Sequence, residues 1–162
     1  MSRLQRMIDR LLTQRACLDF AAGEIADLRG PVFEIGLGKG RTYSHLREVL
    51  PEREIFAFDR EVHAPADAQP DADHILLGDF RDTVAAAAAR FGGRVALIHA
   101  DIGSEKPDRD AMLAADLGPS MAALVASGGL ILCDRELSLA AWPRLPLPPG
   151  AGDWDYFLYR AP

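Results

Sequence analysis

The stretch VFEIGLGKGRTYSHL, Val32 to Leu46, sets the frame for the whole chain. A short apolar run, Val32–Ile35, enters glycines at 36, 38 and 40, and helical sequence follows at once. Glycine costs stability in regular elements, so three at alternate positions mark a backbone that turns sharply and admits a close neighbour. Strand, glycine loop and helix in that order form the opening unit of an open α/β sheet. Such sheets bind ligands beyond the carboxyl ends of their strands.

The same alternation continues downstream. The helix around Arg41–Leu50 stops at Pro51, and strands follow at Ile55–Phe58 and His74–Leu77. A helix over Asp82–Phe91 closes at Gly92-Gly93, and a fourth strand spans Val95–His99. Helical sequence over Asp108–Ala126 is interrupted at Gly118-Pro119. It precedes a fifth strand at Gly129–Cys133 and a last one at Trp154–Arg160. Short, continuously apolar strands between helices imply a parallel sheet covered on both faces. The expectation is a doubly wound, mostly parallel α/β sheet of six or seven strands. Glu61–Asp73, with Pro65 and Pro70, is thin for a crossover helix, and Pro143–Pro149 is too proline-rich for a central strand.

Upstream, Leu4, Met7, Ile8, Leu11 and Leu12 recur at helical spacing, and Leu18, Ala21, Ala22, Ile25 and Leu28 form a second stripe. Gly30-Pro31 ends this prelude. The chain thus reads as one domain over 1–162, with a helical extension (1–30) before a core (31–162). The N-terminal helices are where a homo-oligomer would form.

With 162 residues, 49% of them apolar and 26% charged, the chain suits a soluble globular domain. No apolar run approaches the roughly 20 residues that span a bilayer, and Asp9, Arg10 and Gln14 break up any secretory signal. Cys17 and Cys133 lie in apolar contexts and read as buried thiols of a reducing compartment, so a cytoplasmic location is expected. Of the net charge of −6, residues 1–15 contribute +3 and the remainder −9. An acidic body without a basic stripe is a poor match for nucleic acid.

Asp59, Asp79, Asp101 and Asp134 all fall at or just after strand ends, on the edge that carries the glycine loop. A dinucleotide fingerprint would place the third glycine one residue later. Glu34 beside the loop is also unwelcome to phosphates, whereas a ligand bearing ammonium or sulfonium charge suits it.

On these residues the chain resembles the class I S-adenosylmethionine-dependent methyltransferases, from about Val32 to Asp134. The resemblance implies S-adenosyl-L-methionine as cofactor. It implies that Glu34, Gly36, Leu37, Gly38 and Gly40 wrap the methionine half, with Thr42 and Tyr43 following. Asp59, with Arg60 beside it, would hold the ribose hydroxyls. Gly78, Asp79 and Phe80 would meet the adenine. Arg41 and Thr42 are candidates for the cofactor's carboxylate, or simply an exposed first helical turn. Asp101, after strand four, would hold the cofactor's ammonium group, or act as a base or position the acceptor; His99 shares its face and is the other candidate for base or acceptor positioning.

The Asn/Asp-Pro-Pro-aromatic motif of DNA base methyltransferases is missing from Ala100–Gly103. The metal-dependent O-methyltransferases follow the strand-five acid with Asn, but here Asp134 is followed by Arg135. A guanidinium cannot ligate Mg²⁺, so no catalytic metal is expected. The implied function is methyl transfer to a small-molecule acceptor, without nucleic-acid or membrane partners. A catalytically silent cofactor-binding subunit is the second reading and an NAD-dependent oxidoreductase the third.

Overall fold

A computed structural model describes residues 1–104 and 106–162. Helix α1 (Arg3–Glu24) precedes β1 (Val32–Ile35), α2 (Arg41–Val49) and β2 (Ile55–Asp59). Two short 3₁₀ turns, Ala66–Ala68 and Ala72–His74, replace a crossover helix before β3 (Ile75–Leu77). Then come α3 (Phe80–Phe91), β4 (Val95–Ala100), α4 (Pro107–Leu124), β5 (Val125–Cys133), β6 (Arg144–Leu145) and β7 (Phe157–Arg160).

The seven strands lie in the order β3-β2-β1-β4-β5-β7-β6. The first five are parallel, and β7 runs antiparallel to both β5 and β6. The proline-rich segment thus supplies a two-residue edge strand, where missing N–H groups are harmless. All six residues of β4 are buried, so it is the spine of the sheet. One face packs Phe33, Phe56, Phe58, Ile98 and Ile131 against Val84, Phe91, Leu117 and Met121 of α3 and α4. The other packs Val32, Ala57, Leu97 and Leu132 against Cys17, Leu18, Ala21 and Leu46 of α1 and α2. The chain leaves β1 toward β2 on one side, and β4 lies on the other. A crevice opens where these directions diverge.

Two helical expectations are corrected. The prelude is one continuous helix of 22 residues, because polar Asp9, Thr13 and Gln14 are buried on its inner side and bridge the two apolar stripes. Gly118-Pro119 does not interrupt α4. Proline removes one intrahelical bond, but Leu113, Leu117, Met121 and Leu124 keep burying the same face across it.

Candidate active site

The crevice beyond β1, β2 and β4 holds a cavity of about 330 Å³. Its floor is the glycine loop. Gly36, Gly38 and Gly40 all have positive φ (92°, 51° and 74°), in the left-handed region that favours glycine. A Cβ on Gly36 would run into the Asp101 carbonyl, and one on Gly40 into the Ala68 carbonyl, whereas Gly38 faces open space. Two glycines therefore let the chain pack closely, and the third leaves room for a ligand.

Asp59, at the end of β2, reaches under this loop. Its Oδ2 accepts from the Gly38 N–H at 2.8 Å and its Oδ1 from the Arg60 N–H at 2.7 Å. An ionised carboxylate offers about four lone-pair sites, so roughly two remain for a diol. Phe80, nearly buried at the start of α3, adds an aromatic wall.

Across the cavity Asp101 follows β4. Its Oδ2 accepts from Arg10 Nη2 at 2.5 Å and Gln14 Nε2 at 3.0 Å, both from α1. Its Oδ1 is buried and has no hydrogen-bond partner among the described residues. Next to it, Asp134 takes the N–H groups of Ile102 and Gly103, each at 3.0 Å, and Arg135 Nη1 at 3.1 Å. Arg135 Nη2 also reaches Asp110 at 3.0 Å, and Asp110 takes the Ser104 N–H at 2.7 Å and the Ser104 hydroxyl at 2.6 Å, which pins the 102–104 loop to α4. Burial first, and then the charge of Asp101, push the Asp134 carboxyl up to about 6, with Arg135 pulling the other way.

Gly36, Leu37, Gly38, Thr42, Asp59, Phe80 and Asp101 line the cavity, as does Arg41. Other expected site residues do not. Glu34 and His99, partners in the β1–β4 register, are fully buried beneath the loop, with Glu34 Oε2 and His99 Nδ1 2.6 Å apart. Burial opposes a charged imidazole, but Glu34 outweighs it, helped by Asp101 and Asp134, and the His99 pKa is raised. Thr42 donates its hydroxyl to the other oxygen of Glu34, so the pair anchors the first turn of α2 from below. Tyr43 is buried and borders a separate crevice with Arg47, Asp71 and His74. Gly40 caps α2 and packs against Ala68. Asp79 caps α3 through the Arg81 N–H, and Arg60 pairs with it at 3.3 Å; these two and Gly78 stand outside the lining. The Arg81 N–H, with Arg60 and Arg81 nearby, holds the exposed Asp79 carboxyl below its ordinary value.

Sequence reading missed the roof: Met7, Arg10, Leu11 and Gln14 of α1, together with Lys39, Ile102 and Gly103. A signal existed, because Arg10 and Gln14 are one helical turn apart and interrupt the apolar stripes. Among the described residues, no helix is long and apolar enough to cross a membrane, and no cluster of His, Cys, Asp or Glu is arranged to hold a metal ion.

Comparison with known proteins fits this geometry. A family model described as S-adenosyl-L-methionine methyltransferase matches residues 1–161. The crystal structure of an S-adenosyl-L-methionine methyl transferase from Silicibacter pomeroyi DSS-3 is 41% identical, with a TM-score of 0.95 over 100% of this chain and 99% of that one. More distantly, a 16S rRNA (adenine(1408)-N(1))-methyltransferase from Catenulisporales acidiphilia, solved with its cosubstrate, shares the fold at 18% identity and a TM-score of 0.53, over 89% of this chain and 90% of that one. The 1,6-didemethyltoxoflavin-N1-methyltransferase of Burkholderia thailandensis, solved with S-adenosylhomocysteine, does so at 13% identity and 0.53, over 91% and 78%. No curated protein matches the sequence. This chain belongs to the S-adenosyl-L-methionine methyltransferase family and is an S-adenosyl-L-methionine-dependent enzyme.

Proposed function

We propose that the enzyme methylates a small-molecule acceptor in a reducing, cytoplasmic setting and needs no metal. The observation that carries this reading is the roofed cavity, at the small end of the roughly 300–1,000 Å³ usual for ligand sites. Arg10, the cation that α1 brings to the cavity, is committed to Asp101, and Lys39 and Arg41 are the other cations of the lining. The remaining chain, at −9 outside residues 1–15, repels polyanions. Cys17 and Cys133 are free, buried thiols, which supports a reducing compartment. The ion pairs of Arg135 with Asp134 and Asp110 support a metal-free site, since both carboxylates already carry a fixed cation.

The cofactor supplies a methyl group already activated by sulfonium. The protein's task is orientation, which can contribute about 7–11 kcal/mol. Asp59 holds the ribose hydroxyls on its remaining lone pairs. Asp101 offers the cavity-facing side of its carboxylate to the ammonium group, while Arg10 and Gln14 on Oδ2 fix its rotamer. Arg41, on the first turn of α2, faces the carboxylate end. Glu34 and His99 hold that turn in place and touch neither reactant.

Incubation with labelled S-adenosylmethionine across small phenols, amines and carboxylates, with bulk RNA as a separate arm, tests the reading. Turnover on a small molecule that persists in a chelator is the expected result. Methylation of RNA alone, or activity abolished by chelator and restored by Mg²⁺, contradicts it.

A further inference from the structure

Among the described residues, three buried side-chain polar atoms have no hydrogen-bond partner: His99 Nε2, Asp101 Oδ1 and the Tyr156 hydroxyl. All three belong to the face of the sheet that α1 covers. Glu34, His99, Leu132 and Leu158 are paired in one row across β1, β4, β5 and β7. Because β7 runs antiparallel, Asp101, Asp134 and Tyr156 form the next row on the same face. The Asp134 N–H still bonds the Ala100 carbonyl at 3.1 Å, so the register holds past the strand ends. Tyr156 is buried with Leu132 and Leu158, and its ring centre lies 6.2 Å from that of His99. A buried polar atom without a partner loses its hydration and recovers nothing. Three such atoms in one place call for a shared partner, and a buried water typically makes about three hydrogen bonds to such groups.

We propose that one ordered water joins these three atoms, and that through it Tyr156, with His99 as second donor, positions Asp101. The donor and acceptor roles match. Glu34, held by the Thr42 hydroxyl, takes the Nδ1–H of His99. Burial opposes a second proton on this ring, but Glu34, and after it Asp101 and Asp134, outweigh burial and favour an N–H at Nε2. Burial, and then the charge of Asp101, push the Tyr156 phenol well above its ordinary value, so it stays a donor. The water accepts from Nε2–H and from the phenol, and donates to Oδ1, which as a carboxylate oxygen can only accept. On the other oxygen, Oδ2, Arg10 and Gln14 of α1 already bind. Asp134, the carboxylate beside Asp101 at the end of β5, is tied to Arg135. Asp101 is thus fixed through both oxygens while it lines the cavity. A carboxylate ordered before the ligand arrives removes an ordering step from binding. The positioning role rests on the reading that Asp101 meets the cofactor's ammonium group.

Tyr156→Phe keeps the ring and removes only the hydroxyl. Calorimetry on the full chain compares S-adenosylhomocysteine with an analogue whose amino group is replaced by hydrogen. The wild type is expected to prefer S-adenosylhomocysteine. Tyr156→Phe should weaken that ligand several-fold and leave the deaminated analogue unchanged, with an unchanged circular dichroism spectrum. Equal loss of both ligands makes the tyrosine a packing residue and overturns the proposal, as does no loss of either. A high-resolution crystal structure of the wild type should show one water within hydrogen-bond distance of all three atoms. A water that misses any of them overturns the proposal, because Tyr156 or His99 then has no link to Asp101. A wild type that binds both ligands alike ends the ammonium reading and the positioning role with it. Absence of the water from a wild type that prefers S-adenosylhomocysteine overturns this inference alone.

Discussion

Asp59 holds the Gly38 N–H of the glycine loop and the N–H of its own neighbour Arg60, and keeps lone pairs for a ligand. If these take the ribose hydroxyls, each charge-assisted bond contributes about 1.5–3 kcal/mol. Asp59→Ala should then weaken S-adenosylhomocysteine binding by at least about tenfold, since 1.4 kcal/mol corresponds to one decade. Calorimetry on a variant with an intact circular dichroism spectrum checks this, and an unchanged affinity would leave Asp59 as loop scaffolding. Asp134 gives a second prediction at this scale. Its folded-state value of about 6, above the ordinary 3.8, means the folded chain keeps that proton where the unfolded chain has lost it. Its ionisation therefore costs stability as pH rises through about 4 to 6, and the cost is complete above that window. Carboxyl-carbon NMR should find this midpoint, and Asp101→Asn should lower it by removing a neighbouring negative charge. A midpoint that ignores Asp101 would mean the two carboxylates are not coupled.

The glycine loop separates two kinds of glycine, and substitution should separate them too. Gly40→Ala pushes a Cβ into the Ala68 carbonyl at a φ of 74°, so both sterics and backbone oppose it. It should cost well over the roughly 1–2 kcal/mol of a left-handed residue alone, read as a large fall in the denaturant midpoint. Gly38→Ala meets nothing within 4 Å, so it should cost only about that backbone term while impairing cofactor binding, because its methyl group enters the cleft. Equal destabilisation by the two would refute the distinction. The loop was legible in the sequence because glycine spacing is a backbone requirement, and the strands were legible because they hold continuous apolar runs such as 95–98 of β4. Helix α1 was not legible as one element. Its Asp9, Thr13 and Gln14 look like a break until the structure shows them buried, with Gln14 reaching Asp101 and Thr13 exchanging hydrogen bonds with Gly152. The roles expected of Glu34 and His99 turned on register. Side chains of neighbouring parallel strands meet when paired, and the pairing of Glu34 with His99 is a tertiary fact that neither segment states alone.

At the scale of the molecule, the sheet order places the ends of β1, β2 and β4 around one crevice, and the N-terminal helix roofs it from outside. A ligand there touches the glycine loop, Asp59, Phe80, Asp101 and α1 together, so binding should stabilise the whole fold and not one loop. A ligand at one hundred times its dissociation constant adds about 2.7 kcal/mol. In a chain of this length each kcal/mol raises the melting temperature by about 2–4 °C. S-adenosylhomocysteine at that excess should therefore raise it by about 5–11 °C. NAD at the same concentration should leave it unchanged, because Glu34 lies below the loop and the glycine spacing does not present a pyrophosphate cradle. Asp101→Asn should shrink the shift, since it weakens the acceptor facing the ammonium group while the core strands stay as they are. A full shift in that variant would move Asp101 from the cofactor's side of the cleft to the acceptor's, where a loss of turnover of about 10²–10⁴ would mark it as the base.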